Sequence, residues 1–338
     1  MGEFVITCCS TADMDRNFFE EREIPFACFH CLMDGKEYQD DLGKSMAPEE
    51  FYRRIAAGAQ PTTAQVNVKE YEDLFRPALE QGKDVLHIAL SGGISGAVNS
   101  ARLAKEQLEE EFPERRILVV DSLGASSGYG LLVMLADDMR KKGAGLEETA
   151  AWTEEHRLNI HHWFFSSDLT SFIRGGRISK TAGFFGTALG ICPLMNVDAS
   201  GKLVPREKYR GKKKVIRAMV EKMKEHARDG ENYSGRCLIS QSACYEDARA
   251  VADLVEQEFP RLSGPVEILT IPGVPVGETR PLTTVSFCPS SARLVATPVK
   301  TWLTCCGCTW RQISLTIADW FGSPAPSPTE SALSISFA

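Results

Sequence analysis

Histidine is scarce in this chain, and so are the arrangements that usually accompany histidine chemistry. Six His occur in 338 residues, and none follows His226. No Ser–His–Asp or Cys–His spacing stands out, nor any metal-ligand set or nucleotide loop. No apolar run approaches the roughly 18–20 residues that span a bilayer. The N-terminus lacks the basic start, long apolar core and small-residue cleavage site of a secretory leader. Positive charge is also in deficit. Lys and Arg number 38 against 45 Asp and Glu, a net charge of −7, which argues against a general nucleic-acid binder. The expectation is a cytoplasmic protein that works without a cofactor.

Cysteine, by contrast, is plentiful at 11 residues, but its spacing is irregular. Cys28-x-x-Cys31 encloses His30, yet no second Cys or His pair stands at zinc-site spacing. Its neighbours Ile24, Phe26, Phe29 and Leu32 make it part of a buried strand, where Cys serves as a small apolar residue. With 43% apolar and 25% charged residues, the chain has material for two cored domains.

The first half alternates strand and helix. Phe4 to Thr7 is a short strand running into Cys8-Cys9-Ser10-Thr11, where a hydroxyl can cap a helix with Asp13 in its first turn. Phe26 to Met33 reads as one strand ending in the Asp34-Gly35 hairpin turn. Pro48 opens a helix. Gln60 to Gln65 is a polar loop that leads into a helix over Val68 to Glu80. Asp84 to Leu90 is apolar enough for a strand covered on both faces. Ser91-Gly-Gly-Ile-Ser-Gly-Ala97 comes next and leads into a helix from about Val98 to Glu111. Hydroxyls and glycines between a buried strand and a helix start can hold a carboxylate or small phosphate. Arg116 to Ser122, then a helix near Gly130 to Lys142, repeat the scheme. Such alternation predicts an α/β fold with a parallel, doubly wound sheet.

After the amphipathic stretch Leu146 to Asn159, a second, mixed α+β domain begins at His161. Its adjacent His161 and His162 point to opposite faces of a strand and cannot readily share an ion. The stretch that organises the rest is Leu169 to Lys180. It reads as a short helix broken by Gly175-Gly176, then Arg177, then Ser179 placed to cap a new helix. Such a turn can gather amides and Arg177 around an anion; an ordinary helix–turn–helix with a solvated Arg reads equally well. Met195 to Pro205 is a hairpin. From Lys202 to Arg217 eight basic residues face the single acid Glu207, either as a solvated helix start or as a dock for an acidic partner. Helices over Val215 to His226 and Tyr245 to Phe259, and strands over Arg236 to Ser240 and Val266 to Ile271, complete the pattern.

These blocks carry a resemblance. Leu169 followed by Gly175-Gly-Arg-Ile-Ser179, then Pro193-Leu194, Gly201-Lys-Leu203 and Lys208-x-Arg-Gly-Lys-Lys213, resembles the DegV family of bacterial fatty-acid-binding proteins. Cys9 to Asp13, Pro61-Thr-Thr-Ala-Gln65, Ile88 to Ala97 and Val119 to Ser122 match in the same order, over residues 4 to 285. The resemblance implies a two-domain protein, residues 1–160 and 161–285, with a long-chain fatty acid between the domains. Thr63, Ser95, Arg177 and backbone near Gly92 and Gly96 would hold the carboxylate. The chain would then be no enzyme itself. It would present its ligand to a separate fatty-acid kinase that makes the acyl phosphate, docking through Lys208 and Arg210, with transient membrane contact possible. An enzyme acting on a small carboxylated or phosphorylated metabolite, with Asp121 or Asp13 as acid and base, is the alternative.

The chain departs from the family pattern in two places. Cys9 stands where the family has Asp, and Gly277 to Thr284 lacks the family's head-group His. From Ser286 to Ala338 only five charged residues accompany 15 Ser and Thr, four Cys and three Trp. A composition break of that kind fits a shifted reading frame or a genuine tail with an interaction role. It predicts an irregular tail over 286–338 that contributes nothing to the core.

Overall fold

The computed structural model describes residues 3–179, 190–271 and 282–288, with two further short strands at 300–301 and 313–314. Its first sheet is parallel and has the order β2-β1-β6-β7, from Phe26–Ala27, Phe4–Cys9, Asp84–Ala89 and Ile117–Asp121. Helices α1 (Arg16–Arg22), α3 (Val68–Glu80), α4 (Ala97–Glu111), α5 (Ser126–Lys141) and α6 (Leu146–His156) accompany it. Every residue of β6 after Asp84 is buried, the pattern of a strand covered on both faces. Helix α3 spans the expected residues and starts with a capping box, Asn67 and Glu70 each bonding the other's backbone amide.

Three expectations for this half need correction. Ser10 and Thr11 do not cap a long helix. Ser10–Ala12 form a single 3-10 turn that Asp13 ends in the left-handed region, and Ser10 Oγ instead accepts the Phe29 amide at 3.1 Å. The cap of α1 is Asp15, which accepts the Phe18 amide. The expected strand from Phe26 to Met33 is two strands. Ala27 pairs with Cys9 in the parallel sheet, whereas β3 (His30–Met33) turns away to pair with β4 (Lys36–Gln39) through Asp34-Gly35, both at positive φ. The loop at Gln60–Gln65 contains β5 (Thr62–Ala64), which pairs with β3 on its other side. Helix α2 (Pro48–Ala56) lies between β4 and β5.

The second sheet is mixed, with the order β10-β9-β8-β13-β11-β12. Its strands are β8 (His161–Ser166), β9 (Ile191–Val197), β10 (Leu203–Arg210), β11 (Cys237–Gln241), β12 (Glu267–Thr270) and β13 (Leu282–Phe287). Helix α7 (Thr170–Arg174) follows β8; α8 (Lys212–His226) and α9 (Tyr245–Glu258) cover one face. Trp163, Phe165, Leu194, Ile239, Val285 and Phe287 pack there against Val220 of α8 and Val251 of α9. The other face turns towards the parallel sheet. Residues 1–291 form one compact unit and residues 292–338 another, in which β14 (Lys300–Thr301) pairs antiparallel with β15 (Ile313–Ser314). The helix expected after Ser179 and most of the tail lie outside the described residues. So does Gly277 to Pro281, where the family's His is missing.

The tail boundary moves. Ser286 and Phe287 belong to β13, paired with Leu238 and Cys237 on one side and His162 and His161 on the other. Phe287 is wholly buried and Cys288 nearly so. A chain ended at Val285 therefore loses part of a central strand. It should be less stable in urea than one ended at Ser291 by about 3–5 kcal/mol, the cost of deleting a buried Phe; equal stability of the two would show that β13 needs only its first residues.

Two buried carboxyl groups lie beneath the strand ends. Burial raises Asp13 well above the usual carboxylate range, against a hydrogen bond from Ser126. Burial also raises Asp40 to about 6, against a bond from Ser10. Asp40 keeps its proton in the folded chain after the unfolded chain has released it. Its contribution is thus full below about pH 4 and lost as pH rises through 6. Asp40→Asn should consequently gain about 2–3 kcal/mol over the parent at pH 7.5 and nothing at pH 4. Urea denaturation at the two pH values measures the difference.

Candidate ligand-binding site

Two clefts meet where the C-terminal ends of the parallel strands face the second sheet. The larger, about 560 Å³, is lined by Thr63, Gln65, Ser95, Gly96 and Arg177, with Gly175 and Gly176 at its rim. Thus four of the five expected head-group residues, supplied by three separate segments, line one space. Each is positioned by its element. Thr63 lies on β5, opposite Cys31 of β3. Ser95 ends the turn after β6, its amide bonded to the Ser91 carbonyl. Gly96 is the N-cap of α4 and offers no side chain to cap it.

Arg177 is the electrostatic centre of this cleft. Its backbone amide bonds back to Phe172 of α7, and Gly176 holds a φ of 76° that carries the chain round the turn. The guanidinium is half-buried, and burial lowers its pKa from the ordinary value. Its Nη1 donates to the Gly175 carbonyl at 2.8 Å. Among the described residues it forms no ion pair. A half-buried cation facing a polar cleft without a carboxylate suits an anionic ligand.

Gly92 departs from expectation. Its amide donates to the Asp121 carboxylate at 3.1 and 3.2 Å, and a Cβ there would come within 2.7 Å of Asp121 Oδ2. The amide is committed to holding the ends of β6 and β7 together, so it is not a ligand donor. Asp121 also accepts the Leu123 amide at 3.0 Å. It acts as a brace rather than an acid or base, and Asp13 is buried. Neither supplies the acid/base pair that the enzymatic alternative requires.

The second cleft is apolar and small, about 40 Å³. Its walls are Ile94, Phe164, Phe172, Val197, Leu203 and Leu282, with Ser126, His162 and Thr284 at one side. Ile94 lines both clefts, so the polar and apolar spaces adjoin at its side chain. Phe164, Leu169, Phe172, Ile178, Met195 and Leu282 form a continuous buried cluster behind it.

A Cys–His pair that the spacing did not reveal lies under the end of β1. Cys9 Sγ is 3.2 Å from Tyr71 Oη and 4.0 Å from His87 Nε2, and Thr7 Oγ1 is 3.0 Å from His87 Nδ1. All are buried. Burial pushes the Cys9 thiol up to about 11 and His87 down to about 3. Both are neutral at pH 7 and out of solvent's reach, so the pair is core packing and no nucleophile. Cys9, where the family has Asp, faces this core. Cys28 and Cys31 are pushed to about 12 and 11 by burial, and no metal-holding group of His, Cys, Asp or Glu occurs among the described residues.

Lys208 and Arg210 are exposed on β10 with Arg206, at alternate positions of an edge strand. Lys212, Lys213 and Lys214 then open α8, whose first turn has no acid and whose Gly211 cap has no side chain. These basic residues form their own stretch and are absent from the lining of either cleft. The sequence reading missed Gln65 as a lining residue, although its motif contains it. Gln65 Oε1 fills the place a Cβ at Gly96 would take, at 2.7 Å, and its Nε2 donates to Ser100 Oγ. Nothing in the spacing marks that contact.

Known proteins share this fold. The family model described as "Uncharacterised protein, DegV family" matches residues 3–279. A DegV domain-containing protein of Clostridium perfringens is 32% identical over 260 residues, 77% of this chain and 89% of its own. A fatty-acid-binding DegV family protein from Thermus thermophilus superimposes with a TM-score of 0.73 at 25% identity, over 85% of this chain and all of that one. The fatty acid kinase B3 protein of Streptococcus pneumoniae, solved with linoleic acid, has a TM-score of 0.72 at 22% identity, over 85% of this chain and 99% of its own. That last likeness is one of fold.

Proposed function

This chain belongs to the DegV family, and we propose that it binds a long-chain fatty acid and presents the carboxylate to a separate kinase. The observation that carries the reading is Arg177, half-buried and without a carboxylate partner among the described residues, in a polar cleft that adjoins an apolar one at Ile94. The carboxylate lies between Thr63, Ser95 and Arg177, with the α4 N-terminus adding positive potential. The acyl chain passes Ile94 into the apolar cleft, where each buried CH₂ contributes roughly 0.8 kcal/mol. The cleft is narrow, so a long chain enters by parting its walls.

Presentation follows from the openness of the head-group cleft and from the exposed cations of β10 and α8. An incoming kinase meets Lys208 and Arg210 and reaches the carboxylate. Such a protein works in the cytoplasm; no helix among the described residues is long and apolar enough to cross a membrane.

Two experiments test the two halves of this reading. Ser95→Ala with Thr63→Ala should weaken a fatty acid much more than its methyl ester, because each charged hydrogen bond lost costs about 1.5–3 kcal/mol. Equal weakening, read by calorimetry, would reduce both hydroxyls to structural parts. Lys208→Glu with Arg210→Glu should leave fatty-acid affinity intact and abolish acyl-phosphate formation by a cognate kinase. Single substitutions should give salt-sensitive losses that shrink, relative to the parent at the same salt, as salt rises, since exposed charges are screened beyond about 10 Å at 0.1 M. Normal turnover of the double variant would remove the dock from these residues.

A further inference from the structure

The face of the second sheet that looks towards the clefts carries a row of hydroxyls, and nearly all are spoken for. Ser240 Oγ lies 2.8 Å from Ser126 Oγ and 3.0 Å from Ser127 Oγ. Ser286 Oγ lies 3.2 Å from Ser127 Oγ. Ser166 donates to the Asp168 carbonyl at 2.9 Å, and Ser242 accepts the Leu282 amide at 2.9 Å. Thr284 is the exception. The residue is 4% exposed, and its hydroxyl makes no hydrogen bond among the described residues. Its oxygen is not one of the enclosed unpaired polar atoms; it reaches the cleft that Thr284 lines, and a ligand filling that cleft would take its solvent away.

The strand register fixes where this side chain faces. Thr284 pairs with Phe164 on one side and Ser240 on the other, and it alternates with Val285, which faces the helix-covered core. Thr284, Phe164 and Leu282 therefore share the cleft face, and all three line the apolar cleft. The whole cleft is about 40 Å³, room for about one water, so a chain that parts its walls also displaces what solvates Thr284. A plain methylene placed there drives out the water and strands the Thr oxygen. A ligand hydroxyl restores its bond.

We propose that Thr284 makes this cleft selective for acyl chains that carry a hydroxyl group. The ligand class is a hydroxylated long-chain fatty acid, its carboxylate in the Arg177 cleft and its hydroxyl bonded to Thr284 Oγ1 beside the Ser126–Ser240 pair. The assignment rests on the fatty-acid reading given above and names which fatty acids fit best. It requires no covalent step.

Stearate and its 3-, 10- and 12-hydroxy derivatives distinguish the cases, with affinities measured on the full chain and on Thr284→Val and Thr284→Ser. Valine keeps the shape and removes the hydroxyl; serine keeps the hydroxyl. At least one hydroxystearate should bind the parent about tenfold more tightly than stearate, the order expected for a buried hydroxyl left unpaired. The preference should vanish in Thr284→Val, through weaker hydroxystearate or tighter stearate, and persist in Thr284→Ser. If stearate binds but no hydroxy derivative is preferred, or the preference survives in Thr284→Val, the selectivity is overturned and fatty-acid binding stands. If no acid binds the parent chain, the fatty-acid reading falls and this one with it.

Discussion

The clefts depend on two places where the sheets meet through bare backbone. A Cβ at Gly93 would stand 2.7 Å from the carbonyl oxygens of Ser200 and Gly201, and one at Gly201 would collide with Ser91 Oγ. Ser91 Oγ instead donates to the Gly201 carbonyl at 2.8 Å, tying the end of β6 to the β9–β10 hairpin. The second place is Gly128 of α5, where any Cβ would overlap the His162 ring. Burial and the neighbouring His161 hold His162 down to about 4, so it presses on α5 as a neutral ring. Side chains at either place would push the sheets apart and pull Ile94 out of line between the two clefts.

The second sheet has to satisfy two environments at once, and β13 carries the conflict. Its Thr283, Val285 and Phe287 face one way; Leu282, Thr284 and Ser286 face the other. On the helix-covered side Val285 and Phe287 close an apolar core. On the cleft side an apolar half, Phe164, Met195 and Leu282, adjoins a half made of hydroxyls. Small hydroxyls can exchange partners over short distances, whereas packed apolar residues resist rearrangement. A seam of that kind ties α5 to the second sheet through Ser126 and Ser127.

Much of this was legible in the sequence wherever local pattern and tertiary demand agreed. The apolar run at Asp84 to Leu90, the turn at Asp34-Gly35 and the capped helix at Val68 each come from a rule acting over a few residues, and each stands where expected. Thr63, Ser95, Gly96 and Arg177 were expected as a set only through the family resemblance, and they line one cleft. The failures needed partners distant in sequence. Nothing near Gly92 announces that Asp121 takes its amide. The break after Ala27 exists because Phe29 is held by Ser10 and Asp40. The last residues of β13 were hidden by averaging. Ser286 and Phe287 belong to a strand whose polar side meets Ser127, but over a window of several residues their composition merges with that of the Ser- and Cys-rich tail.

The distribution of charge bears on how such a protein is used. The chain is acidic overall, yet Arg177 stands in the cleft without an ion pair among the described residues, and β10 with the start of α8 gathers cations in one stretch. Three lysines at a helix N-terminus oppose the helix dipole by about 0.3–1 kcal/mol each. Lys212 recovers part of this through Asp247 at 2.5 Å. For the isolated chain the remaining repulsion is a cost without structural return. Two separate cationic features, one inside the cleft and one outside it, fit a protein that first holds a small anion and then meets a partner of opposite charge. Removing the first should change what the protein holds, and removing the second should change only which partner can approach it.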